Sequence, residues 1–233
     1  MKDISEKLQL KIDTAKQLLE QIVTDYSPAV LATSYGAEDM VLMDMIAKFA
    51  PEIGIFTLDT GRLPKETYDL MQQAKKHYQL EVDVYYPDAL SLQQFVTHNG
   101  PNAFYDSVDL RKQCCGIRKV APLNRALTGK RAWLTGMRRS QSVTRNELPV
   151  SEWDADHELQ KFSPLTDWSN GEVWKYIRAF DVPFNELHNQ GYASIGCAPC
   201  TRAITPGEDI RAGRWWWENP ETKECGLHVK GRV

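Results

Sequence analysis

The stretch AVLATSYGAED, residues 29–39, decides the fold. Ala29 to Ser34 (AVLATS) is a short apolar run that reads as a buried strand. Tyr35 and Gly36 interrupt it, and a helical pattern follows from about Glu38 to Phe49. The same alternation recurs outward from this unit. Ile53 to Leu58 (IGIFTL) is a second strand ending at Asp59, and Pro64 opens a helix that runs to about His77, since proline suits a first helical turn. Val82 to Tyr86 is a third strand, Ala132 to Thr135 (AWLT) a fourth and Lys161 to Leu165 a weaker fifth. Strands separated by helices imply parallel crossover units and an α/β fold with a doubly wound, mostly parallel sheet. Ligands of such sheets bind beyond the carboxyl ends of the strands. The loops Ser34–Asp39, Asp59–Arg62 and Gly136–Arg145 are therefore expected to line one crevice.

A helix from about Gly171 to Phe180 stops near Pro183. The remainder of the chain is irregular, rich in Gly, Cys, Arg and Trp, and too poor in apolar periodicity for a core of its own. The expectation is a single domain, with an α/β nucleotide-binding core over residues 1–180 and a C-terminal segment over 181–233 that completes the site. Met1 to Gln21 is charged throughout, with apolar residues at helical spacing, so it reads as an amphipathic packing helix and not as an export signal. The 233 residues, 42% hydrophobic, suffice for one substantial core. A net charge of −3 gives no basic field for nucleic acid, and no run is long and apolar enough to span a membrane. The cytoplasm is the expected compartment. There, five cysteines do not suggest a disulfide framework, and an odd number leaves one over if four act together.

Five groups of residues carry candidate chemistry. In Ser34 to Asp39, Gly36 lets the backbone approach a ligand, and amides at a helix N-terminus favour an anion; a cap and a turn is the plain alternative. In Leu58-Asp59-Thr60-Gly61-Arg62, Asp59 and Thr60 suit a ribose or base and Arg62 a phosphate, against the reading of a solvated turn. Gly136 leads into Arg138 and Arg139, with Arg145 close behind, and guanidinium groups bind phosphate or sulfate oxygens bidentately. Cys114 and Cys115, at the start of a helical stretch, combine with Cys197 and Cys200 as a four-thiolate set. Adjacent cysteines suit a cluster with separate irons better than one tetrahedral zinc, which is the main alternative. Arg118 and Lys119 could offset its negative charge. Finally, Cys225 is the unpaired fifth cysteine, flanked by Lys223 and His228, which would lower its pKa; Arg211 and Arg214 add positive charge upstream. His77, His98, His157 and His188 show no ligand spacing and are taken as structural or exposed.

Taken together, the motifs SYGAED, LDTGRLP, KQCCGIRK, GMRRSQS, GCAPC, RAGRWWWE and KECGLH, spread over residues 34–228, closely resemble the assimilatory adenylyl-sulfate and phosphoadenylyl-sulfate reductases, in their cluster-bearing branch. The resemblance implies a fold like that of the adenine-nucleotide pyrophosphatases, with Ser34 to Asp39 as a modified phosphate loop. It implies a [4Fe–4S] cluster on Cys114, Cys115, Cys197 and Cys200, linked electrostatically to substrate by Lys119. Cys225 would attack the sulfonyl sulfur of adenylyl sulfate, or of phosphoadenylyl sulfate, and thioredoxin or glutaredoxin would release sulfite from the thiosulfonate. Ser34, Gly36, Asp39, Leu58, Asp59, Thr60, Gly61, Arg62, Gly136, Arg138, Arg139, Arg145, Arg211, Arg214 and His228 would contact the substrate. A homo-oligomer is the expected assembly. Two rival readings are an ATP pyrophosphatase or adenylyltransferase of the same fold, in which Cys225 would have no task, and an iron–sulfur redox-sensing protein, which would not need nucleotide loops.

Overall fold

The computed structural model describes residues 4–141 and 147–219. A six-stranded sheet in the order β3-β2-β1-β4-β6-β5 forms its centre. β1 (Ala29–Thr33) pairs in parallel with β2 (Gly54–Leu58) on one side and with β4 (Ala132–Leu134) on the other. β3 (Asp83–Tyr85) extends the first side and β6 (Leu159–Phe162) the second, both in parallel. β5 (Ser151–Asp154) closes the edge antiparallel to β6. The chain thus winds outward from β1 in both directions, and the β1–β4 junction is the switch point where such a sheet opens a crevice.

The alternation within β1 explains the two cores. Ala29 and Leu31 face one layer and Val30 the other, as the two-residue period of a strand demands. The larger layer packs α1 (Glu6–Tyr26), α2 (Ala37–Phe49), α3 (Lys65–Tyr78) and α7 (Asn170–Ala179) on the sheet. The expected stripe of α1 is buried at Leu8, Ile12, Ala15, Leu19 and Ile22, after a start at Ser5, whose side chain accepts from the Leu8 amide. A capping box of Ser169 and Glu172 starts α7, and Glu172 also takes Lys11 Nζ at 2.7 Å, which clips α1 to α7. The opposite layer is thinner: α6 (Ala121–Leu127) lays Leu123, Ala126 and Leu127 against Val30, Phe56 and Trp133.

Several expectations shift. The fourth strand is one residue shorter than AWLT, and the fifth lies at Leu159–Phe162 instead of Lys161–Leu165. β5 carries exposed Trp153 on a sheet edge, so it lacks the buried apolar run by which a strand is recognised. α4 (Ala89–Asn99) and α5 (Val108–Cys115) form a third cluster away from the sheet. Cys114 and Cys115 end α5 and do not begin it; a π turn, Gly116–Val120, then carries the chain into α6. Such widened turns often mark functional positions. No helix among the described residues is long and apolar enough to cross a membrane.

Because β1 is packed from both faces, it should tolerate truncation poorly. Leu31, fully buried, is expected to cost about 2–5 kcal/mol as Leu31→Ala in equilibrium denaturation. Leu10→Ala, on the exposed face of α1, should stay within about 0.5 kcal/mol. Equal losses at the two positions would contradict this packing.

Candidate functional site

A cavity of about 260 Å³ opens at the carboxyl ends of β1, β2 and β4. The three strand-end loops singled out from the sequence do meet there. The β1 loop contributes Ser34, Gly36 and Asp39, the β2 end contributes Leu58 and Thr60, and Gly136 follows β4. Lys119, Arg211 and Arg214 add positive charge to the wall. The volume and the mixed lining suit a nucleotide-sized ligand.

The β1 loop is held tightly. Ser34 donates to Asp39 Oδ2 twice, from its amide at 2.6 Å and its hydroxyl at 2.7 Å. Buried Tyr35 sits in the left-handed region at φ 59°, and its amide donates to Thr33 Oγ1 at 3.0 Å. A non-glycine residue there is strained backbone, held by its surroundings. Burial pushes the Asp39 carboxyl up to about 6, against the Ser34 hydrogen bonds, and Glu38 next to it adds repulsion. Gly136 approaches so closely that a Cβ on it would lie 2.4 Å from Asp39 Oδ1 and 3.2 Å from the Asp39 amide. Only glycine fits this junction.

Arg138 does not line the cavity. Its fully buried guanidinium grips Glu38 Oε1 from Nε at 2.9 Å and Nη2 at 2.6 Å, while Nη1 donates to Ser140 Oγ and the Trp168 carbonyl. The sequence reading has it contact an anion; in the structure it positions Glu38, which does line the cavity. Arg139 points elsewhere too, to Asp167 and the Leu148 carbonyl. Arg62, read from the sequence as a phosphate ligand, donates to Asn102 and Pro101, with its guanidinium over Phe104. Asp59 is used internally, accepting from the Gly61 amide and the Tyr68 hydroxyl. Gly61, at φ 68°, makes the turn that this loop needs. Arg145, Cys225 and His228 lie outside the described residues.

Cys114, Cys115, Cys197 and Cys200 converge on a second, smaller cavity, with Arg62, Arg118 and Lys119 in its wall. Lys119 lines both cavities, so the thiol group and the nucleotide-sized pocket share a cation. All four cysteines are free thiols. Burial raises Cys114, and burial together with Cys197 and Cys115 pushes Cys200 up to about 12. Burial opposes ionisation of Cys197 as well, but Lys119, the Thr60 hydrogen bond, Arg214 and Arg118 outweigh it and hold this thiol below its usual range. Four crowded thiols, one of them with its pKa lowered, in a wall with the four cations Arg62, Arg111, Arg118 and Lys119 match what a thiolate-held group of net negative charge requires. Among the described residues, no group of three or more His, Cys, Asp or Glu side chains is placed to hold a metal ion.

The tail is tied down beside the thiols. Arg111 of α5, buried, binds Glu218 with Nε and Nη2, each at 2.8 Å, and stacks on Trp215, whose ring also faces Arg214. Gly196 makes room for Arg214, since a Cβ there would sit 2.5 Å from its guanidinium. His188, set aside on spacing, in fact lines the nucleotide-sized cavity. Nothing in its spacing announced this; it lies in the 3₁₀ turn Glu186–Gln190.

Comparisons with known proteins agree with this architecture. Residues 28–203 match the family model described as the phosphoadenosine phosphosulfate reductase domain. A protein from Allochromatium vinosum named adenosine 5'-phosphosulfate reductase is 55% identical over 224 residues, 96% of this chain and 88% of that one. One of the same name from Neisseria meningitidis is 52% identical over 219 residues, covering 94% and 89%. Among solved structures, phosphoadenylyl-sulfate reductase from Candida auris, in a phosphate complex, superposes with a TM-score of 0.71 at 29% identity, over 87% of this chain and 98% of that one. Candida glabrata FMN adenylyltransferase, at 14% identity and TM-score 0.60 over 96% and 80%, shares the fold alone.

The raised Asp39 carboxyl makes a stability claim. Its folded pKa, about 6, exceeds its ordinary 3.8, so the folded state holds the proton more tightly. Stability from this group is present below the lower value and is lost as pH rises through about 6. Asp39→Asn should therefore gain on the wild type between pH 4 and pH 7, by up to about 3 kcal/mol. Parallel stability curves for the two proteins would show that Asp39 titrates normally.

Proposed function

Since the chain belongs to the family of phosphoadenosine phosphosulfate reductase domains, we propose that its cavity binds adenylyl sulfate and that Cys225 carries the reduction. The protein is an oxidoreductase, an adenylyl-sulfate reductase that turns the activated sulfate into sulfite and so serves sulfate assimilation. The observation that carries the finer reading is the sharing of Lys119 between the nucleotide-sized cavity and the four thiols. A sulfate end bound beside Lys119, Arg211 and Arg214 loses its repulsion for a thiolate.

In the proposed cycle the Cys225 thiolate attacks the sulfonyl sulfur. The new S–S bond forms as the sulfur–oxygen bond to the phosphoryl group breaks, and AMP leaves with the electron pair. A thiolate of thioredoxin or glutaredoxin then attacks Cys225 Sγ and expels sulfite. The donor's second thiol resolves the mixed disulfide, so a dithiol supplies the two electrons. AMP is a good leaving group, and the protein's task is orientation and charge stabilisation. Cys114, Cys115, Cys197 and Cys200 would hold a [4Fe–4S] cluster, with Arg62, Arg118 and Lys119 offsetting its charge. When bound, the cluster supplies a fixed charge beside the sulfate end. Arg211, Arg214 and His228 would hold the anion, with Arg145 near it. The cytoplasm, where thiols stay reduced, is the compartment that suits this chemistry.

Two experiments test the reading. Wild-type protein given adenylyl sulfate without a thiol donor should gain the mass of one SO₃ group on the peptide containing Cys225, and thioredoxin should remove it as sulfite. An adduct on any other cysteine would refute the assignment. Anaerobically purified protein should carry about four irons and matching sulfide per chain, and Cys197→Ser should lose them. Stoichiometric zinc without sulfide in protein never exposed to oxygen would rule the cluster out.

A further inference from the structure

The nucleotide-sized cavity has three chemically distinct zones. The first is apolar: Phe56, Leu123 and Trp133, which pack together on the thin side of the sheet, reach it beside Ala32 and Leu58. The second is cationic and stands on the thiol side, where Lys119 lines both cavities and Arg214 lies against Gly196, one residue before Cys197. The third, at the loops after β1 and β4, carries two carboxylates. Glu38 and Asp39 both line it. The guanidinium of Arg138 is taken up by Glu38 Oε1, Ser140 and the Trp168 carbonyl, so it gives this zone no available cation.

His188 does not supply one either. Its Nδ1 lies 2.8 Å from the Tyr192 carbonyl, which can only accept, so Nδ1 carries the proton. Nε2 is buried without a hydrogen-bond partner among the described residues, and burial holds the ring's pKa below its usual value. The neutral ring therefore has only a lone pair to offer. Asp39 cannot swing away from the cavity on its inner side, because Gly136 backs it at a distance that excludes even a Cβ.

Adenylyl sulfate also has three parts: a flat base, an anionic phosphosulfate, and the ribose diol that joins them. The base suits the apolar zone and the phosphosulfate the cationic one, which leaves the diol for the acceptors. We propose that Glu38 and Asp39 are specificity-determining residues that accept hydrogen bonds from the free ribose hydroxyls and exclude a 3′-phosphate. A hydroxyl donates to a carboxylate. A phosphate dianion has no proton to donate and meets acceptors in Asp39 and in the Arg138-paired Glu38, so the same wall that binds one sugar rejects the other. The inference rests on the function proposed above and adds the choice between adenylyl sulfate and its 3′-phosphorylated form.

The test compares kcat/KM for the two nucleotides, with reduced thioredoxin, in the wild type, Glu38→Gln and Asp39→Asn. The wild type should prefer adenylyl sulfate, and each variant should shrink that preference by roughly tenfold, the size of one charge-assisted contact. Calorimetric affinities for AMP and adenosine 3′,5′-bisphosphate give a second reading that does not need turnover. The wild type should bind AMP the more tightly, and the gap should narrow in both variants. Wild-type protein that binds the bisphosphate as well as AMP overturns the proposal even if neither variant folds, and so does an unchanged preference in folded variants. Wild-type protein that reduces neither nucleotide would instead overturn the function on which it rests.

Discussion

The site hangs on one residue, Thr60, at the end of β2. Its carbonyl accepts from Arg118 Nη1 at 2.5 Å, and its hydroxyl lies 3.3 Å from Cys197 Sγ. Arg118 belongs to the π turn after Cys114 and Cys115, so this short chain of contacts joins the two halves of the thiol set through the sheet. The neighbouring Arg62 carbonyl takes the Ala198 amide at 2.8 Å and fixes the Cys197–Cys200 segment to the same loop. Without these links the thiols would belong to two surface segments separated by most of the domain.

The consequence is a sharp division of charge. On the β2 side, Lys119 and Arg214 favour the thiolate of Cys197 against its burial. On the β1–β4 side, Glu38 and Asp39 occupy the N-terminus of α2, where a helix would otherwise attract an anion. Ser34 gives its amide and hydroxyl to Asp39, so these donors are already committed within the protein. An α/β fold shared with FMN adenylyltransferase at 14% identity thus carries cations on the side of its thiols and carboxylates on the side of β1 and β4.

The tail extends this logic. Arg111 is buried, and its partner Glu218 comes from far along the chain. Breaking such a pair leaves an uncompensated charge in the interior, which costs about 3–5 kcal/mol. Trp215, between Arg111 and Arg214, holds the last described part of the chain against α5.

Much of this was legible in the sequence, because it depends on short-range patterns. The strand–turn–helix of residues 29–49, the loops after β1, β2 and β4, and the two cysteine pairs are all local, and alternation and spacing report them directly. Edge strand β5 escaped, since one side of it has no partner and little to bury. The arginines were legible as cations but not as partners. Nothing near Arg138 in sequence announces that it will grip Glu38, 100 residues earlier, or that Arg111 will meet Glu218. His188 belongs to the same class. The sequence by itself determined which residue types stand at the strand ends, since that follows from local periodicity. Only the tertiary structure decided which charges cancel inside the protein and which are left facing the cavity, because ion pairing depends on distances that chain folding alone sets.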